Sequence, residues 1–233
     1  MSIRTDMAAE SFSQAGGAEK LQGVKVKNKV IENARLEVTD ITIETQEAAE
    51  KLGRPVGRYI TLTATDSTFD MYSDSFRERA EVIAKAIGEL CGGCERFLAV
   101  GLGNYALTSD AVGPLTAEKI FATRHIKSLA KEIDTDDLGE VTVIQTGVLG
   151  NTGIESSEQV KAIAERVRPQ AVIAVDALAC SELSNLGRTI QLCNTGISPG
   201  SGVENARKEL SISTLGVKCI AIGVPTVIDL CTA

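Results

Sequence analysis

The sequence predicts an α/β protein: a doubly wound, mostly parallel sheet flanked by helices, with an antiparallel β ribbon or subdomain at the N-terminus. Residues 97–102 and 171–175 are continuously apolar, which is typical of parallel strands covered on both faces. Residues 36–44 instead alternate between apolar and polar side chains, as a strand with one exposed face does. From residue 73 onward, helix and strand signals follow each other in turn, which indicates a sheet with crossover helices.

The N-terminal third of the chain carries a different pattern. Residues 1–25 are mostly polar and include a pair of glycines, so we expect a flexible N-terminal segment. Strands are predicted at residues 36–44 and 59–64, with turn-forming residues at 55–57 between them. These two strands predict the antiparallel ribbon.

Residues 26–233 are predicted to form a single α/β domain. Its later elements follow from apolar periodicity and from the glycines and prolines that interrupt it. We predict helices at residues 73–91, 110–124, 155–168 and near 204–210, and strands at 97–102, 141–146, 171–176, 189–192 and 217–222.

Composition narrows the function class. No apolar run approaches the roughly 20 residues that a membrane span needs, and the polar N-terminus lacks the features of a signal peptide, so we expect a cytoplasmic protein without a membrane partner. The net charge is -7, with three Tyr, five Phe and no Trp. A chain with this charge lacks a basic surface for phosphates, and it has few aromatic side chains on which bases could stack. Direct nucleic-acid binding is therefore not expected.

Cysteine and histidine chemistry is poorly supported. Among the six cysteines, only Cys91 and Cys94 have a metal-binding or redox spacing, and His125 is the one histidine. Structural zinc needs four ligands, and the two glycines between these cysteines are better explained as the end of a helix. We place His125 at the basic end of the helix predicted at residues 110–124, a structural position. We therefore predict no metal, no cofactor and no histidine-based triad.

A dinucleotide-binding site is another function that the sequence pattern suggests. Gly101, Gly103 and Ala106 match the spacing of the dinucleotide-binding fingerprint after a strand. The helix predicted at residues 110–124 begins well after these glycines. The next predicted strand ends at Gln145 and Thr146 and lacks the acidic residue that binds ribose. The fingerprint is therefore disfavoured.

Two aspartates remain as the candidate catalytic residues. Asp176 directly follows the apolar run at residues 171–175, and Asp110 lies in a short segment after the run at 97–102. Ligands on open α/β sheets gather at the carboxyl ends of the strands. An isolated Asp at a helix start is usually an N-cap, but two carboxylates at one site can divide acid and base roles or hold a divalent metal.

The sequence resembles the germination protease family of spore-forming bacteria. The family pattern G-L-G-N-x-x-x-T-x-D-A-x-G-P stands at residues 101–114, and I-x-D-A-L-A stands at 173–179 with one extra residue before Asp176. The resemblance extends over nearly the whole chain, through further segments at residues 146–155, 194–203 and 222–227.

The resemblance implies an atypical aspartic endopeptidase that degrades small acid-soluble spore proteins in the spore core during germination. Its two catalytic aspartates correspond to Asp110 and Asp176, and the family assembles as a homotetramer. The family is made as a zymogen that cleaves itself, which here implies a bond between Asp6 and Met7 and a propeptide of residues 1–6. Residues 5–10, Thr-Asp-Met-Ala-Ala-Glu, also resemble the T-E-x-A-S-E sites cut in spore proteins.

The chain departs from the family pattern at both ends. A six-residue propeptide is shorter than expected for the family, and family members continue past the position of Ala233, so we expect a missing C-terminal segment. Residues 227–230 are predicted to begin a helix.

Two alternatives stay open. The hydrogenase maturation endopeptidases show a similar glycine-asparagine segment and a later V-D-A, read a metal during cleavage, and use a histidine after the second acid. In this chain His125 precedes Asp176. A catalytically inactive binding homologue is the other alternative, although both aspartates are present.

Overall fold

The structure is a computed structural model that describes residues 5–17, 21–66, 68–129, 135, 138–198 and 209–228. The strands are β1 Val24–Ile31, β2 Leu36–Ile43, β3 Gly57–Ala64, β4 Arg96–Leu102, β5 Glu140–Gly147, β6 Ala171–Cys180, β7 Thr189–Cys193 and β8 Lys218–Ile228. The helices are α1 Ala8–Gln14, α2 Gln46–Leu52, α3 Phe76–Cys91, α4 Val112–Lys119, α5 Arg124–Leu129, α6 Leu149–Thr152, α7 Ser156–Val167 and α8 Ile212–Leu215.

The predicted fold class is confirmed. The strands form one mixed sheet in the order β1-β2-β3-β7-β8-β6-β4-β5. Strands β1, β2, β3 and β7 pair antiparallel, whereas β4 pairs parallel with both β5 and β6. The antiparallel N-terminal part and the parallel later part are those that the alternating and continuous apolar patterns predict.

The chain divides into two compact units. The first comprises Met1–Leu90, Leu178–Thr195 and Ile222–Ala233, and the second comprises Cys91–Ala177 and Gly196–Ala221. In the first unit, Ala34, Leu36 and Ala64 form a buried cluster against which Phe69 and Val82 pack.

The core of the second unit lies between the parallel strands and α7. Leu98, Val100 and Val172 from the strands are buried together with Val160 and Ala164 of α7. The last two are four residues apart and so share one face of the helix. Burial of β4 and β6 thus explains why their sequences are continuously apolar.

The N-terminus differs from the flexible segment expected from its composition. Residues 8–14 form helix α1, and Met7 and Ala8 are buried. Polar composition is a poor guide here because the polar side chains are hydrogen-bonded within the first unit, as described below. Two further elements, β1 and the α2 helix between β2 and β3, were not predicted.

The helix predicted at residues 110–124 is wrong in extent. Helix α4 ends at Lys119, Ile120 is extended, and α5 begins at Arg124. The cause is Thr123, whose hydroxyl donates to the Gly139 carbonyl at 2.5 Å and accepts from the Val141 amide at 2.8 Å. His125 consequently lies in the first turn of α5 and not at the end of the earlier helix.

Two strands extend beyond their predicted ends. Strand β6 continues past Asp176 to Cys180, and β8 continues to Ile228, so Val227 belongs to a strand and the helix predicted to begin there is wrong at residues 227 and 228. Most of the helix predicted near 204–210 lies outside the described residues, but Leu210 forms an isolated bridge with Ile197.

Candidate active site

Asp110 lies in a 3-10 turn, Thr108–Asp110, after strand β4. The amide of Asn104 donates to the Asp110 carboxylate Oδ2 at 2.8 Å and to its carbonyl oxygen at 3.0 Å. The amide of Asp110 donates to the Leu107 carbonyl at 2.8 Å. These bonds hold the carboxylate in place through the main chain of its own loop. The N-cap of α4 is Ala111, which makes no side-chain cap bond, so Asp110 is not that cap.

Gly103 allows this loop to close. Its φ is +107°, and a Cβ at this position would lie under 3.0 Å from both the carbonyl oxygen and the Oδ1 of Asp110. Side-chain-bearing residues rarely adopt this backbone conformation and would collide with Asp110. The close approach therefore requires glycine at position 103.

Gly113 lets α4 approach the backbones of two strands closely. A Cβ here would lie under 3.0 Å from the carbonyl oxygens of Leu102 on β4 and Val175 on β6. Gly101 in turn faces the Gly113 carbonyl at similarly close range. The first turn of α4 thus packs directly on the two strand backbones. Its contact on β6 is Val175, where the parallel pairing with β4 ends, one residue before Asp176.

Asp176 follows the last residue of the parallel pairing between β4 and β6, which ends at Gly101 and Val175. Asp176 is 5% exposed, and its Oδ1 accepts the amide hydrogen of Ala177 at 2.9 Å. The strand does not end at Asp176 as predicted, but the parallel pairing with β4 does. Both aspartates belong to the second unit.

This arrangement has a clear chemical capacity. A buried carboxylate and a hydrogen-bonded one at the same end of a parallel sheet can take the separate acid and base roles that activation of water requires. The glycines that match a dinucleotide fingerprint are explained by packing, because Gly101 approaches Gly113 and Gly103 approaches Asp110.

The predicted self-cleavage residues lie in the first unit. Asp6 pairs with Ala179: its amide donates to the Ala179 carbonyl, and its carboxylate Oδ2 accepts from the Ala179 amide, both at 2.9 Å. Met7 is fully buried. The structure therefore places Asp6 and Met7 in one unit and Asp110 and Asp176 in the other.

Two residues beside this segment were not predicted. Gln191 donates from Nε2 to the Asp6 carbonyl at 3.1 Å and accepts from the Ala8 amide at 2.6 Å. Glu10 is buried and hydrogen-bonded to residues 181–185. The only signal in the sequence was the resemblance of residues 5–10 to a cleavage site, since a single Gln in an apolar strand carries no distinctive pattern.

Cys91 and Cys94 differ from a reactive thiol pair. Burial raises the pKa of the Cys91 thiol, and the neighbouring Cys94 adds to this effect, while Lys218 opposes it. Reactive C-x-x-C thiols have lowered pKa values. Helix α3 ends at Cys91, and Gly92 and Gly93 follow with positive φ, which confirms the predicted helix stop.

The described part of the chain contains no group of three or more His, Cys, Asp or Glu side chains arranged to hold a metal ion. Within the same residues, no helix combines the length and apolar character that a membrane crossing requires.

Comparison with known proteins shows the family. The family model for germination protease matches residues 3–233. A germination protease from Clostridium perfringens is 39% identical over 235 residues, covering 99% of this chain and 71% of the relative. Germination proteases from Clostridium tetani and Caldanaerobacter subterraneus are each 40% identical, and the chain spans 72% and 71% of their lengths.

Among solved structures, the [NiFe] hydrogenase maturation protease HycI from Thermococcus kodakarensis is similar at 20% identity, with a TM-score of 0.38, over 60% of this chain and 80% of that one. The full-length match to the family model and the identity to its members decide the assignment. This chain belongs to the germination protease family, and it is a peptidase.

Proposed function

We propose that this protein is an endopeptidase that degrades small acid-soluble spore proteins during spore germination, using water activated by Asp110 and Asp176. The observation that carries the proposal is the close packing of Gly113 against Val175 and Leu102. Because of this packing, the loop that holds Asp110 and the strand that holds Asp176 meet at one end of the parallel sheet.

The proposed chemistry divides the two roles between the carboxylates. Two nearby acids raise the pKa of one member, so that one can hold a proton while the other accepts a proton from the attacking water. The pair titrates as a unit.

The test is cleavage of a peptide containing Thr-Glu-Phe-Ala-Ser-Glu, followed by mass spectrometry with and without a chelator. We expect cleavage after the first Glu, unaffected by the chelator. Asp176→Asn and Asp110→Asn should each abolish turnover while leaving thermal unfolding nearly unchanged. Asp74→Asn, an exposed aspartate of the first unit, is the matched control and should retain full activity.

Each contrary result has a distinct meaning. Turnover retained by Asp176→Asn overturns the aspartate assignment. Cleavage that a chelator stops replaces it with a metal held by the same carboxylates. Absence of cleavage by the unaltered chain, both with residues 1–6 and after their removal, contradicts the proposed activity.

We propose in addition that the chain cleaves itself between Asp6 and Met7. The resemblance of residues 5–10 to the spore-protein sites supports this. Met7 is buried, and the Asp6 carbonyl is bonded to Gln191, so a second protease molecule can reach the bond only after this segment leaves its contacts. Mass spectrometry of the ageing protein should show loss of residues 1–6, and Asp110→Asn should prevent it.

The proposed assembly is a homotetramer acting in the spore core. The family resemblance supports it, and so do three large apolar side chains of the first unit, Met71, Tyr72 and Phe76, which are exposed and would be covered at an interface. Light scattering after size-exclusion chromatography should give four times the chain mass of 24.6 kDa. A monomer mass would contradict the tetramer.

A further inference from the structure

Asn104 is bonded into the loop of Asp110 through three of its groups. Its main-chain amide donates to the Asp110 carboxylate Oδ2 at 2.8 Å and to the Asp110 carbonyl at 3.0 Å. Its main-chain carbonyl accepts from the amide of Leu107 at 3.1 Å, and its side-chain Oδ1 accepts from the amide of Ala106 at 3.0 Å. Residues 104–107 therefore form a turn whose first residue also binds a candidate catalytic carboxylate.

The side-chain nitrogen of Asn104 is the one polar group that this turn does not use. The amide of Ala106 can donate only to an oxygen, so it fixes which end of the side chain is Oδ1 and which is Nδ2. Nδ2 carries two hydrogens, and it donates to no acceptor within the part of the chain that the structure describes. Asn104 is only half-buried, so a bound ligand can supply the missing acceptor.

This donor lies near the carboxylate of Asp110. Four bonds separate Nδ2 from the main-chain nitrogen of Asn104, which keeps the two atoms within about 5 Å of each other. The main-chain nitrogen is itself 2.8 Å from Oδ2 of Asp110. A substrate group that lies against this carboxylate is therefore close enough to be bonded by Nδ2 as well.

Peptide hydrolysis by two carboxylates creates a negative charge that needs a donor. The water oxygen bonds to the carbonyl carbon, one water proton passes to the ionised carboxylate, and the electron pair of the carbonyl double bond moves to its oxygen. The C–N bond then breaks as the leaving nitrogen takes the proton of the neutral carboxyl group. Preorganised donors at such an oxyanion are commonly the largest single contribution to catalysis.

A neutral amide suits this position better than a cationic side chain. A positive charge beside the pair would lower the pKa of the ionised carboxylate and weaken it as a base. The Nδ2 group donates without carrying a charge. The turn itself needs only an acceptor at Oδ1, which aspartate or serine also supplies, so turn formation leaves the two donors of Asn104 unexplained.

We propose that Asn104 is a third catalytic residue, whose Nδ2 donates a hydrogen bond to the scissile carbonyl oxygen and stabilises the oxyanion that forms when water attacks. The proposal rests on the proposed endopeptidase function and adds a residue to its site. Asp110 and Asp176 move the protons, and Asn104 binds the oxygen on which the charge develops.

Cleavage kinetics distinguish a hydrogen-bond donor from a residue that only shapes the turn. Asn104→Ser keeps a side-chain acceptor for the Ala106 amide, but its hydroxyl does not extend to the position of Nδ2. Asn104→Ala has neither group. We expect both variants to lose about a hundredfold or more in kcat, with KM changed by less than about threefold. A role in the turn alone predicts a normal kcat in Asn104→Ser and a loss only in Asn104→Ala.

Two controls accompany these kinetics. Asn28→Ser makes the same substitution at an exposed asparagine on strand β1 of the first unit, and it should leave kcat and KM unchanged. Thermal unfolding of Asn104→Ser should occur at nearly the temperature of the unaltered chain, so that loss of the fold does not account for a lower kcat.

A binding measurement tests the contact with the oxygen directly. The probe is a labelled Thr-Glu-Phe-Ala-Ser-Glu peptide in which a difluoromethylene ketone, hydrated in water, replaces the scissile amide and resembles the tetrahedral intermediate. The comparison peptide carries a trans alkene there and lacks the oxygen. By fluorescence anisotropy, the unaltered chain should bind the ketone about a hundredfold more tightly than the alkene. Asn104→Ser should weaken ketone binding about tenfold and leave alkene binding unchanged.

The outcomes separate this proposal from the proposed function. Peptide cleavage with an unchanged kcat in Asn104→Ser keeps the endopeptidase function and overturns the role of Asn104. Equal loss of ketone and alkene binding in Asn104→Ser, or equal binding of both by the unaltered chain, also overturns that role. Ketone binding that depends on Asn104, in a chain that cleaves nothing, supports the donor and contradicts the endopeptidase function.

Discussion

Gly103 and Asp110 approach so closely that a single methyl group on Gly103 would overlap the carbonyl oxygen of Asp110. Glycine is therefore required for two reasons at this position, a φ of +107° and the absence of space. This contact explains why the glycines of the segment at residues 101–114 accompany the aspartate, and it links a backbone requirement to the position of a carboxylate.

Gly103→Ala should displace Asp110. We expect a loss of stability of about 1–3 kcal/mol from the unfavourable backbone conformation, and a fall in peptidase activity of about a hundredfold because the carboxylate moves. Urea unfolding and peptide cleavage measure the two effects. Gly88→Ala in helix α3 is the control, since a Cβ there meets open space; it should stabilise by about 0.5–1 kcal/mol with activity unchanged. Full activity in Gly103→Ala would show that the loop geometry is unimportant.

Gly113→Ala tests the packing of α4 at the point where the parallel pairing of β4 and β6 ends. The added methyl would push α4 away from Leu102 and Val175, and we expect a destabilisation of about 1–3 kcal/mol together with a loss of cleavage. Gly150→Ala, in the same unit and with open space around it, should be nearly neutral. Wild-type cleavage by Gly113→Ala would contradict the role given to this contact.

Glu10 should make stability depend on pH. Burial alone would raise its pKa, but hydrogen bonds from Ser181, Thr5 and Asn185 lower the pKa below its ordinary value. A group with a lowered pKa in the folded state stabilises above its unfolded pKa, about 4.3 for glutamate, and loses that contribution as the pH falls through the folded value.

The measurement compares urea unfolding of the unaltered chain and Glu10→Gln between pH 7 and pH 3. We expect the unaltered chain to be more stable by about 1–3 kcal/mol at pH 7, and the difference to shrink as the pH falls below about 4.3. Glu182 and Cys180 lie near Glu10, so Glu182→Gln serves as the control. A difference that is constant with pH would show that Glu10 does not act through its charge.

Arg79 should be the most sensitive charged residue of α3. Its side chain is 2% exposed, donates to the carbonyls of Ala34 and Thr68 at 3.0 and 3.3 Å, and pairs with Asp66. Arg79→Met leaves the buried Ala34 carbonyl without this donor and breaks the pair with Asp66, and we expect a loss of about 2–4 kcal/mol in thermal or urea unfolding.

The control for Arg79 is Arg77→Met on the same helix. Arg77 is exposed and forms an ion pair with Glu81, four residues later on the same helix. Its replacement should change stability by less than about 0.5 kcal/mol. Similar losses for the two variants would contradict the importance of burial.

The sequence determined the local features of this protein. Continuous apolar runs predicted β4 and β6, alternation predicted β2, and paired glycines predicted the end of α3 at Cys91, because each depends on burial or backbone freedom over a few neighbouring residues. The same residues led to the family and to Asp110 and Asp176 as candidate catalytic residues.

Tertiary structure alone decided what depends on residues distant in the chain. Thr123 ends the predicted helix through Gly139 and Val141, and no pattern within residues 110–124 carries that information. The polar N-terminal segment is ordered by Ala179, Ser181 and Gln191, more than 170 residues away in the sequence. Hydrogen bonds of this kind form only when folding brings the two segments together, so periodicity and composition, which report nearby residues, could not reveal them.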